Sequence, residues 1–115
     1  MVDLVKTRTQ LKQRAGKLLA LIEPGEALST EDDATLDDLI DPLLAQLAAE
    51  DIVYIADSEA IDVEVFLPVA RLLANAAGPD FGSPINEEAK QADEAELRKI
   101  LATKPTYEPL RGEYY

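Results

Sequence analysis

The side chains able to do chemistry in this chain are nearly all carboxylates. Its 115 residues include no histidine and no cysteine, which removes imidazole bases, thiolate nucleophiles, disulfides and the usual zinc or haem ligands together. The densest acids are Asp33, Asp37 and Asp41, at successive i, i+4 positions with Asp38 beside them. On a helix they share one face. A calcium site wants roughly six or more oxygens gathered by a glycine-hinged loop, and paired-carboxylate hydrolysis wants two acids facing each other across a cleft. The spacing supplies neither, so the row reads as a solvated acidic face, and neither metal, cofactor nor catalysis is expected.

The bases are segregated. Lys6, Arg8, Lys12, Arg14 and Lys17 crowd the first 22 residues, whereas residues 23–84 hold fifteen acids and one base, Arg71, within an overall charge of −12. The early bases read either as solvated charges offsetting the acidic middle or as a patch for an anionic partner. The middle repels nucleic acid. Arg71 has no acid three or four residues away for a helical pair. Its partner must come from elsewhere, either from this chain or from an adjacent copy, which makes Arg71 the candidate subunit-interface residue.

Residues 104–115, KPTYEPLRGEYY, carry three of the four tyrosines. Two prolines keep such a segment extended, and its rings have an apolar body with a polar tip. Tyr107, Pro109, Leu110, Arg111, Tyr114 and Tyr115 are therefore the candidate partner-binding residues, Arg111 as a planar donor to a carboxylate.

The elements that must position these groups are helical. The strongest is Ala60 to Gly78. Ile61, Val65, Val69, Leu72 and Ala76 make one apolar stripe, and Phe66, Ala70, Leu73 and Ala77 a second beside it, as on a central helix packed on more than one side. Asp62 is its expected N-cap, Ile61 and Phe66 occupy hydrophobic-staple positions, and Gly78-Pro79 is the expected stop. Glu64, Pro68, Arg71 and Asn75 fall on the remaining face, which is expected to look outward with a kink at Pro68.

A first helix is expected from about Arg8 to Ile22, opened by a capping box of Thr7 and Gln10. Gly16 inside it either permits a close approach or is tolerated. After the Glu23-Pro24-Gly25 turn, Ser29 or Thr30 caps a second helix with acids in its first turn, a stripe of Leu36, Ile40, Leu43 and Leu47 widened by Leu39 and Leu44, and a second kink at Asp41-Pro42. Asp51 to Asp57 is the one β-branched and aromatic run and reads as a short strand needing an edge, supplied by the Val2, Leu4, Val5 lead, by the tail or by another copy. Ser83-Pro84 starts the last helix, with Ile85, Ala89, Ala92, Leu97, Ile100 and Leu101, ending near Thr103 and lying outside the other three. The expected fold is mainly α: a four-helix bundle-like domain over residues 1–103 with one short β-strand, followed by an extended tail over 104–115. No apolar run is long enough to span a bilayer, and the N-terminus lacks signal-peptide grammar.

Most of this span resembles a family: the small head-to-tail adaptor, or head-completion, proteins of short-tailed bacteriophages. Leu43 to Leu47, Ile52-Val53-Tyr54-Ile55-Ala56-Asp57, Ala60-Ile61, Glu64 to Ala74 and Phe81-Gly82 carry the likeness. The resemblance implies a structural, non-catalytic helical protein in the virion at the head-tail junction, assembled in the host cytoplasm. It implies a ring, commonly of twelve copies, whose partners are the portal protein, neighbouring copies of itself and tail proteins, with DNA passing transiently through the lumen and no membrane. Better-known members engage the portal through a longer C-terminal extension than the twelve residues that follow the last helix here.

Two other function classes compete. A small acidic helical protein can imitate DNA or act as a regulatory binding module, in which case its carboxylates form two rows at phosphate spacing. A carboxylate-dependent hydrolase needs a cleft holding two acids.

Overall fold

The computed structural model describes residues 5–23 and 25–103; the candidate residues Tyr107, Pro109, Leu110, Arg111, Tyr114 and Tyr115, and the extended tail to which they belong, lie outside that range. The fold is mainly helical: α1 (Arg8–Leu18), α2 (Thr30–Ala49), α3 (Val63–Ala77) and α4 (Glu87–Thr103), with two-residue strands β1 (Val5–Lys6) and β2 (Ile61–Asp62) and a 3-10 turn at Gly78–Phe81. The strands pair antiparallel, Val5 opposite Asp62 and Lys6 opposite Ile61.

Helix α1 opens on the expected capping box. The Thr7 side chain accepts from the Gln10 backbone N–H while the Gln10 side chain accepts from that of Thr7. It ends at Leu18, four residues before the expected Ile22. Ala20 adopts φ 62°, so that its N–H donates to the Lys17 carbonyl and the Leu21 N–H to that of Gly16. These bonds close a Schellman turn, normally built on glycine. Gly16 permits a close approach: a Cβ there would stand 2.7 Å from the Leu28 Cδ2.

Helix α2 is capped by Ser29, whose side chain accepts from the Asp32 N–H, and it buries Leu36, Ile40, Leu43, Leu44 and Leu47. The helix runs on through Pro42, which faces outward. Its end corrects one expectation. Residues 51–57 form no strand; Asp51 takes φ 57°, its N–H donates to the Ala48 carbonyl, and the N–H groups of Ile52 and Val53 turn back to that of Leu47. This is a second Schellman turn. The β-branched pair is apolar because Ile52 and Val53 are buried in the core. The strand that does form uses the N-terminal lead as one edge and Ile61–Asp62 as the other.

Helix α3 is the centre, in contact with α1, α2 and α4. Ile61, Val65, Val69, Leu73 and Ala77 are buried along it with Phe66, Ala70 and Leu72. Asp62 stands at its N-cap without a side-chain cap bond. Two expectations fail here for one reason. Pro68 is buried, and the face it shares with Arg71 and Asn75 is covered, because α4 lies across it. At its other end the α-helix stops at Ala77 with Gly78 as its C-cap, as expected of Gly78-Pro79. The backbone tightens into the 3-10 turn, which ends on Gly82 at φ 87°, and a Cβ on Gly78 would stand 2.8 Å from the Ser83 carbonyl oxygen.

Helix α4 starts after Asn86, not at Ser83-Pro84. The Asn86 side chain accepts from the Ala89 N–H at 3.0 Å, and its backbone is pinned to Asn75 by two reciprocal bonds of 2.8 and 2.9 Å. That anchor fixes where the helix begins. Asn75 meets its start, and Arg71 its second and third turns, so α4 runs antiparallel to α3. Leu97 is fully buried and Ile100 and Leu101 pack on the core, while α4 has no comparable contact with α1 or α2.

Candidate functional site

The acidic row stays partly solvated, as expected, and is at the same time the counter-surface for α1. The Arg8 guanidinium donates from Nε to Asp37 at 2.7 Å, from Nη1 to Asp41 and Ser58 at 2.9 Å, and from Nη2 to the Asp37 carbonyl at 3.0 Å. Lys12 Nζ lies 3.1 Å from Asp33 and 3.2 Å from Asp37. The i, i+4 spacing of Asp33, Asp37 and Asp41 on α2 thus matches the Arg8, Lys12 spacing on α1. Two helical faces meet as complementary rows.

The electrostatics follow from that contact. The bond from Arg8 holds the Asp37 carboxyl below the usual carboxylate range against the opposing effect of burial, and Lys12 adds to it. Arg8 is raised by its bonds to Asp37 and Asp41. Burial pushes Lys12 down, but its bonds to Asp33 and Asp37 outweigh that and leave it raised. A general acid needs a carboxyl pushed up; Asp37 is displaced the other way, and its neighbours in the row are engaged by cations. This chemistry is that of a brace.

Arg71 also finds carboxylates within the chain. Its Nε donates to Asp93 and its Nη2 to Glu96, each at 2.8 Å. Asp93 is buried, and the Asp93 bond is the main cause of the raised Arg71 pKa. The missing helical partner is therefore supplied by the next helix, so the charge of Arg71 calls for no acid from another copy.

Two surface features stand apart from these braces. Tyr54 is 78% exposed between the buried Ile52-Val53 pair and Asp57. It rises between two open grooves, one of about 360 Å³ floored by Leu44, Ala45 and Ala48 of α2, the other of about 400 Å³ floored by Val53, Val65 and Leu101. On the α1 side, Lys6, Gln10, Gln13, Arg14 and Lys17 surround a notch of about 190 Å³ over the edge of Phe66, with Lys6 Nζ 5.8 Å from the ring centroid. The exposure of Tyr54 has no signal in the sequence, since a period-2 reading of 51–57 places it on the face of Ile52, which is buried.

Fold and surface together define a small, mainly helical domain braced by internal ion pairs. Comparison of the chain with protein-family models, with curated protein sequences and with solved structures finds no match.

Proposed function

We propose that this chain is a non-catalytic structural adaptor of the head-to-tail type found in short-tailed bacteriophages. In that role copies join in a ring beneath the portal protein and offer a platform to tail proteins, with DNA passing through the lumen. The observation that carries the proposal is Tyr54. It stands in Ile52 to Asp57, one of the segments that carry the resemblance, and the buried Ile52 and Val53 flank it as it stands outward, a ready anchor. Val63 and Leu67, one turn apart on α3, are exposed apolar side chains of the same kind. The acidic-decoy alternative is weakened because Asp33, Asp37 and Asp41, though partly exposed, share their charge with Arg8 and Lys12.

The test is the mass of the purified chain in solution, alone and mixed with the portal protein encoded by the same genome. A multimer that co-elutes with the portal is the expected result. A chain that stays monomeric at every concentration and ignores the portal overturns the assignment.

A further inference from the structure

The surface charge is divided between two regions. Among the described residues the ion pairs engage Arg8, Lys12 and Arg71 and leave Lys6, Arg14 and Lys17 out, although the protein carries more than twice as many acids as bases. Those three cations converge on one notch, whose described lining also holds two glutamines and no acid. The grooves on either side of Tyr54 are acidic among the described residues: Asp41, shared with Arg8, and Asp57 line one, Asp57 and Asp62 the other, and no described lysine or arginine is in either lining. The notch and the two grooves share no residue.

We infer that the basic notch of one copy receives the acid-flanked Tyr54 of a second copy. The notch suits that occupant in three ways. Its charge complements the carboxylates around Tyr54, its Arg14 and Lys17 are cations that favour an aromatic face, and Gln10 and Gln13 can bond the phenol hydroxyl. A nucleic acid is the poorer fit, since a net charge of −12 repels a polyanion from the molecule as a whole. Because the notch and the knob are different surfaces, the contact is heterologous: each copy keeps a free notch at one side and a free Tyr54 at the other. Such contacts build rings or filaments, not closed twofold dimers. The inference rests on the adaptor assignment only for its biological setting and supplies that assignment with its subunit contact.

Sedimentation equilibrium of the full chain, at low and at high salt, tests it. Wild-type protein is expected to self-associate, less so as salt rises. Tyr54→Arg, at a position too exposed to carry the fold, and the double variant Arg14→Glu/Lys17→Glu should each weaken association by about tenfold or more. The two sets combined in one chain should restore it, because the cation then meets an acidic notch. Arg14→Gln/Lys17→Gln, which adds no repulsion, should fall between. A wild-type chain that remains monomeric, an association insensitive to both single sets, or a combined variant no better than either overturns the inference. So does salt-sensitive retention of a DNA duplex that vanishes in Arg14→Glu/Lys17→Glu, since the notch is then a phosphate site. Binding of the portal by a monomeric chain defeats this contact and spares the adaptor role; self-association through the pair without portal binding does the reverse.

Discussion

Asp37 ties α1 to α2 through two different cations, and its titration should be visible in the stability of the whole domain. Its folded pKa lies below the ordinary 3.8, so the stability it adds is present above that value and is lost as pH falls through the depressed one. Asp37→Asn should therefore lower the melting temperature at neutral pH and flatten the loss of stability below about pH 4, measured by thermal melts across the acid range. Lys12, whose pKa is raised above 10.5, acts in the opposite direction: its contribution is intact below 10.5 and fades only as pH climbs past it. Arg71→Glu sets a third carboxylate against Asp93 and Glu96. For a half-exposed pair with one buried member we expect a loss of about 2 kcal/mol, read by urea unfolding of the monomer; no loss means that the pair is ornamental and leaves an intersubunit role for Arg71 open. Ala20 holds a left-handed conformation that only glycine adopts freely, and Ala20→Gly should stabilise the domain by roughly 0.5–1 kcal/mol.

At the level of elements, two glycines make opposite demands. Gly16→Ala brings a methyl group against the tip of Leu28, which can move, and gains helix propensity, so its net effect should stay within about 1 kcal/mol. Gly78→Ala meets a backbone carbonyl, which cannot move without shifting the 3-10 turn, and should destabilise by about 1–3 kcal/mol. Equilibrium unfolding of the pair separates the two cases. The same local detail explains what the sequence made legible. The capping box at Thr7, the cap at Ser29, the stripe of α2 and both apolar stripes of α3 were readable, because each is written in the types and spacing of residues close together in the chain. The ends of α1 and α2 were not, because both turn on non-glycine residues at positive φ, and Ile52-Val53 then looked like a strand when it was core following a helix cap. Glu64 is exposed as its face was expected to be, but Arg71 and Asn75 on that face answer Asp93, Glu96 and Asn86, partners that only the tertiary fold brings near. The two rows joining α1 and α2 were visible in the sequence as separate patterns, and the register that matches them was not.

At the scale of the whole molecule, the described hydrophobic core is drawn from residues between Leu11 and Leu101. A chain ending at Thr103 should keep its helical circular dichroism and its thermal transition. If Tyr107, Leu110, Tyr114 and Tyr115 dock on a partner, each buried ring is worth about 2 kcal/mol on truncation, so that shortened chain should fail to join the portal or its neighbours; assembly equal to that of the full chain places the docking surface on the helices instead. The seating of α4 has a mechanical corollary. Its main contact is with α3, to which it lies antiparallel; Asn75 with Asn86 and Arg71 with Asp93 and Glu96 tie its first three turns, while Leu97, Ile100 and Leu101 pack its later turns on the core. Tension applied at Thr103 and directed away from the bundle therefore loads the far end of the helix first. It opens the α3–α4 seam turn by turn, like a zip, before reaching the latch at Asn86, while α1 and α2 remain clamped through Arg8 and Lys12.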